Sequence, residues 1–234
     1  MRESASSEVF LIFNEEYLTA SGEALERSDL QSDAIRLVRV LIELMPDEPE
    51  ALGLLALMLF HQARRDARTG SEGSLVLLED QDRSLWRRDQ IDEAESILQR
   101  VLRLKRPGPN QIQAAIASLH ASAPTAGATE WAQIAAFYGA LEAAWPSPVV
   151  RLNRAVAVAM AEGPEAGLAM IATVEDELGH YHLMHAARAD LLRRLERWDE
   201  ASSAYERALE AANNEAERAF LKTRLAEVSE RANE

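Results

Sequence analysis

The chain has 234 residues, 47 % hydrophobic and 27 % charged, the mixture of a folded protein and too apolar for a disordered one. Its formal net charge is −14, which repels a phosphate backbone and argues against direct nucleic-acid binding. Cysteine is absent, which excludes disulfides and thiolate metal sites and agrees with a reducing compartment. No charged-then-apolar signal segment opens the sequence, and no apolar run approaches the ~20 residues that a bilayer crossing needs. The expected setting is the cytoplasm, without membrane association and with a monomer as the favoured state.

Helical spacing runs through the chain, and no stretch shows sustained strand alternation. A first helix is expected around Val9 to Tyr17. Asp33-Ala34-Ile35 opens the next, with Val38 and Leu41 on its buried stripe and Pro46 ending it. Pro49 stands near the start of another, where its missing N–H costs nothing, and Leu52, Leu55, Ala56 and Leu59 form the stripe. Asp92-Glu93-Ala94 opens its partner, with Leu98 and Val101 behind. Ile112, Ala115, Ile116 and Leu119 mark one further helix; Trp131, Ile134, Tyr138 and Leu141, stopped at Pro146, mark the following one. Pro148 starts a helix carrying Leu152, Ala155, Val156 and Ala159, and its partner runs from Pro164 through Leu168 and Ile171. The last helix is expected from Glu215 to Glu230, with Ala219, Phe220, Leu225 and Val228 against many charges.

The clearest repeating unit is Tyr181 to Asn214, two amphipathic helices split at Leu195 to Trp198. Small residues are needed where paired helices cross, and Ala189, Ala201 and Ala208 hold those positions, with Tyr205 as the large aromatic. Their spacing agrees with the ~34-residue tetratricopeptide repeat. The expected fold is all-α: a tetratricopeptide-like array of about five antiparallel helix pairs, an α-solenoid, forming a single domain over 1–234.

One long insertion, about residues 62–91, interrupts the array. It keeps Leu75, Val76, Leu77, Leu78 and Trp86, so it is expected to be ordered and folded against the repeats. In a tetratricopeptide register, Leu57, Phe60 and Val156 face the inner groove. An open apolar trough is unusual, so the insertion is expected to cover it through Leu75–Leu78 and Trp86.

Catalytic motifs are missing: there is no GxxxxGK[ST], HExxH or GxSxG. Asp80, Asp82 and Ser84 begin like a calcium loop, but Leu85 and Ile91 occupy the positions that need glycine and glutamate. His180, His182 and His185 are the only histidine cluster, and capping or packing explains them better than zinc. Adjacent carboxylates such as Glu15-Glu16 and Glu79-Asp80 read as solvated surface in an acidic chain. No catalytic residue, metal or cofactor is expected. The polar and aromatic residues singled out are Asp80, Asp82, Arg83 and Trp86 in the insertion, and Asn153, Arg154, His185, Arg188 and Asp190 on first helices of pairs. Charges in such places need partners. They form either a structural network tying the insertion to the array or a contact site for a partner.

Six stretches carry a resemblance: LIFNEEY (Leu11–Tyr17), LLALMLFHQARRDAR (Leu54–Arg68), LLEDQDRSLW (Leu77–Trp86), PGPNQIQAAIASLHA (Pro107–Ala121), LNRAVAVAMAEGP (Leu152–Pro164) and HAARADLLRRL (His185–Leu195). Together they resemble the C-terminal extension of a group of extracytoplasmic-function RNA polymerase sigma factors, itself described as tetratricopeptide-like. The resemblance implies an appended, non-enzymatic module that tunes transcription initiation by contacting protein. Its partners would be the sigma domains of the same polypeptide, RNA polymerase or an accessory protein. The family's two other domains, which read the −10 and −35 elements and grip the polymerase clamp, have no counterpart in this sequence. A helical-repeat sensor of a metabolite or peptide is the alternative. A small-molecule enzyme is a further one, opposed by the missing motifs.

Overall fold

In a computed structural model, residues 24–70, 74 and 76–233 are described. The expected helix at Val9–Tyr17 and residue Leu75 lie outside them. The described residues form an all-α helical-repeat fold with no strand, built from neighbouring helices packed in pairs. None of these helices is long and apolar enough to cross a membrane. The chain divides into two compact units, residues 1–129 and 130–234.

In the first unit, α1 (Ala24–Leu44) packs on α2 (Pro49–Ala63), which packs in turn on α3 (Arg88–Arg103) and α4 (Pro109–Ser122). Proline opens both α2 and α4, its fixed φ suiting the first turn. A helix apolar on every side must be enclosed. Accordingly α2 is buried from Ala51 to Phe60 without a break and forms the centre of the unit. Ala34, Ile35 and Val38 from α1, Ile91, Ala94 and Leu98 from α3, and Ala114, Ala117 and Ala121 from α4 close around it. Gly53 allows the approach of α4: a Cβ there would lie 2.8 Å from the Gln111 amide nitrogen. Glu50 then accepts from Asn110 N at 3.0 Å and from Gln111 Nε2 at 2.9 Å, holding the start of α4.

Leu57 and Phe60 are 2 % and 0 % exposed, inside the core, because α2 has no polar side to turn outward. Trp86 and Leu78 of the insertion pack into that same core. Asp33 lies within α1 and does not open it, since nothing before it breaks the helix. Likewise α3 begins at Arg88, four residues before Asp92.

The second unit runs α5 (Trp131–Ala144), α6 (Pro148–Glu162), α7 (Pro164–Ile171), a 3-10 turn (Ala172–Val174), α8 (Glu175–Leu178), α9 (His182–Arg194), α10 (Trp198–Ala211) and α11 (Glu215–Ala232). Each long helix packs on the next, with α9 meeting α7 across the short α8. Two apolar clusters hold it: Leu152, Ala155, Ile171, Val174, Met184 and Leu191 in one, Ala189, Leu192, Ala204, Tyr205, Leu221 and Val228 in the other. The repeat at Tyr181–Asn214 has its helices where its spacing puts them. Ala189, Ala201 and Ala208 are all 0 % exposed and Tyr205 is 2 % exposed. A small position not recognised from sequence is Gly167 on α7, whose Cβ would lie 2.5 Å from that of Ala159 on α6. Val156 is half-buried on α6.

Candidate functional site

The insertion leaves the end of α2, makes 3-10 turns at Arg65–Ala67, Leu78–Asp80 and Arg83–Leu85, and returns to α3. Backbone bonds secure its two ends: Val76 N donates to Arg68 O at 2.9 Å and Arg87 N to Ala63 O at 2.9 Å. Asp82 shapes the third turn, its Oδ1 accepting from Ser84 N at 2.9 Å. The Ser84 hydroxyl and then its backbone N–H, both hydrogen-bonded to Asp82, hold that carboxyl below its ordinary range. Asp80 is exposed.

Arg83 is the anchor. Its Nη1 donates to His120 O at 2.8 Å and to Ala123 O at 3.0 Å, two carbonyls at the end of α4. A helix end leaves such carbonyls without helical partners, and a guanidinium there is favoured by the helix dipole as well. The same group lies 4.3 Å from the centre of the buried Trp86 ring, and Arg64 approaches that ring at 5.9 Å. Trp86 is 3 % exposed, and its indole N–H finds no acceptor.

At the end of α2 the pattern repeats. Arg68 Nη2 donates to His61 O at 2.6 Å, and the guanidinium nitrogens of Arg64 and Arg68 both stand 3.4 Å from His61 Nδ1. Arg64 is itself buried, 7 % exposed. Burial, then Arg64, Arg68 and His120, hold the His61 imidazole well below its usual range. Burial, then Arg64 and Arg83, push His120 down to about 4. Both rings are therefore neutral near pH 7. The locus thus gathers Arg64, Arg68 and Arg83, two neutral histidines and the Trp86 ring.

Three of the stretches singled out in the sequence meet here. His61, Arg64 and Arg68 come from the first, Arg83 and Trp86 from the second, and His120 from the third. The sequence reading named Arg83 and Trp86 and missed the other four. The available signal was a run of basic residues, His61, Arg64, Arg65 and Arg68, beyond an all-apolar helix.

The other residues singled out lie in the second unit, and Arg154, His185 and Arg188 join neighbouring elements. Glu142 of α5 accepts from Arg151 Nε at 2.7 Å and from Arg154 Nη1 at 3.0 Å, both on α6. The Arg151 bond is the chief cause of the lowered Glu142 carboxyl pKa. Arg151 also reaches Glu177 of α8 at 3.6 Å. Arg188 of α9 donates to Glu175 of α8 at 2.8 Å. The His185 ring donates from Nε2 to Gly179 O at 2.8 Å, tying α9 to the preceding turn. Asp190 pairs within its own helix, accepting from Arg193 and Arg194. Asn153 is exposed. These bonds position helices, and they gather no group of acids or bases about a common point. Among the described residues no cluster of His, Asp and Glu could hold a metal ion.

Residues 3–102 match a family described as a family of unknown function (DUF6596). The chain is also similar to the uncharacterized protein R00370 of Rhizobium meliloti (strain 1021), 48 % identical over 217 residues. That match covers 93 % of this chain and 51 % of the relative, so the chain spans about half the length of the curated relative it matches.

Proposed function

We propose that this chain is the protein-interaction and regulatory module of an extracytoplasmic-function sigma factor, working in the cytoplasm. It modulates transcription initiation through contacts with the sigma domains, RNA polymerase or an accessory protein. The observation that carries the reading is the convergence of three family-like stretches on one structured locus in the first unit. Stretches that merely filled helices would be spread along the chain, whereas these build one wall from the ends of α2 and α4 and the insertion. A helical-repeat fold supports it further, because such folds present broad surfaces to other proteins. The extra length of the Rhizobium relative is also what a protein with further domains would have.

On this reading the chain does not read promoter DNA itself, since its charge of −14 opposes a polyanion. It acts by docking. Weak contacts suffice when module and sigma domains share one polypeptide, because tethering raises their effective concentration to about millimolar. The test joins the chain to its sigma domains and compares it, in reconstituted transcription from a cognate promoter, with the same protein truncated before Val9. A change in transcript yield or in signal response is expected. Identical transcription from both proteins rejects the regulatory reading.

A further inference from the structure

Helix α1 turns apolar side chains to solvent. Leu37, Val40 and Leu44 are 54 %, 47 % and 76 % exposed. At 3.6 residues per turn they fall in one stripe about 60° wide. Half-buried Leu41 borders it. α1 packs on α2 through Ala34, Ile35 and Val38, and Arg39 on the opposite flank meets Glu93 of α3 at 2.7 Å. Among the described residues nothing closes the stripe. The first and last helices of a repeat array need a polar outer side. α11 has one, since Phe220, Leu221, Leu225 and Val228 are all buried or half-buried. α1 has leucines there instead.

We propose that residues 9–17 of the same chain dock on this stripe as a helix antiparallel to α1, with Tyr17 beside Leu37 and Phe10 beside Leu44. The segment fits in spacing, in reach and in area. Phe10, Phe13 and Tyr17 recur at intervals of three and four, which puts them on one helix face. That face and the exposed stripe are equally long, each about 10 Å from first residue to last. Val9 to Phe13 are five successive apolar residues, a run that favours cover from water. Leu37 lies about 20 Å along α1 from Ala24, or about 22 Å from it once the ~9 Å between packed helix axes is included. The seven Cα steps from Tyr17 to Ala24 span up to about 23–25 Å, which suffices. A stable interface between free proteins takes about 20–30 residues a side, far more than three apolar side chains supply. A tethered segment needs much less, because its effective concentration is about millimolar. The stripe is thus too small for a second copy and large enough for the chain's own segment. The contact is independent of the transcriptional reading, because it is measured on the chain alone.

The chain has no cysteine, so a pair introduced into it reports only on itself. Phe10→Cys with Leu44→Cys, in the full chain, should form an intramolecular disulfide under mild oxidation, read by mass spectrometry of the monomer. Leu85 is also exposed but sits by the end of α2, whereas Leu44 sits by its start, about 20 Å away. Phe10→Cys with Leu85→Cys should therefore crosslink about tenfold less, or not at all. Hydrogen exchange gives the second reading. The amides of residues 12–17 should exchange about tenfold or more slowly than those of an unstructured chain. Leu37→Glu with Leu44→Glu should remove that protection and leave α2 protected. If the glutamate variant does not fold, the cysteine pairs decide. Equal crosslinking of Phe10→Cys to either partner position overturns the proposal. Disulfide-linked dimers in place of the monomer also overturn it, and make a second copy the occupant. Residues 12–17 exchanging at the unstructured rate overturn it too, and leave the stripe to a partner outside this chain. Protection that the two glutamates do not alter places the segment elsewhere, and the proposal fails.

Discussion

His120 sits at the junction of α4 and the insertion with an imidazole held at about 4, against 6.5 for a free one. Between those values the unfolded chain binds a proton that the folded chain refuses. Stability therefore falls as pH drops through that window, by at most about 1.4 kcal/mol per pH unit for one such group. His61 is shifted in the same direction and adds to the loss. His120→Gln should flatten the decline in urea-unfolding free energy between about pH 6.5 and 4.5. A slope equal to that of the native chain would show that the ring is not buried neutral. Glu196 offers a second test. It occupies the turn between α9 and α10 with φ 59°, a conformation in which a side chain is disfavoured and glycine is at ease. It is also exposed. Glu196→Gly should raise the unfolding free energy by about 0.5–1 kcal/mol, and a loss of stability would mean that the side chain matters more than the backbone.

Among the helices, close crossings should be the most sensitive positions. Gly167→Ala places a methyl group 2.5 Å from the Ala159 Cβ, and Ala201→Leu overfills a site that is 0 % exposed. Each should cost about 1–3 kcal/mol, whereas Ser203→Leu on the exposed side of α10 should stay within about 0.5 kcal/mol. Equal thermal midpoints for Ala201→Leu and Ser203→Leu would reject the packing register. The helices themselves were largely readable in the sequence. Pro49, Pro148 and Pro164 begin them as expected, because proline fixes φ and lacks a donor whatever surrounds it. Asp33 and Asp92 misled because an aspartate suits a helix start, yet the residues before each continue the helix without a break. Leu57 and Phe60 share one buried core with Trp86 and Leu78 of the insertion. The unbroken run LGLLALMLF, Leu52 to Phe60, already lacked an outward face. The cationic locus was half legible. Arg83 and Trp86 stood out within one short motif, but His120 reaches them only once α4 is in place. The contacts of Arg68 and Arg83 are with main-chain oxygens, which no side-chain pattern reveals.

Each of the two units carries its own core, so each should hold together without the other. Residues 130–234 expressed alone should give a helical circular-dichroism spectrum and a cooperative melt. A fragment without a melting transition would show that the second core depends on the first unit. The enclosed position of α2 bears on how the protein is made. On the ribosome α2 is complete at Ala63, but α4, which covers it, ends about 60 residues later at Ser122. At about 5–20 residues per second that interval is roughly 3–12 s. Throughout it, the most apolar segment of the chain waits without its full cover, and a nascent-chain chaperone would find its target there.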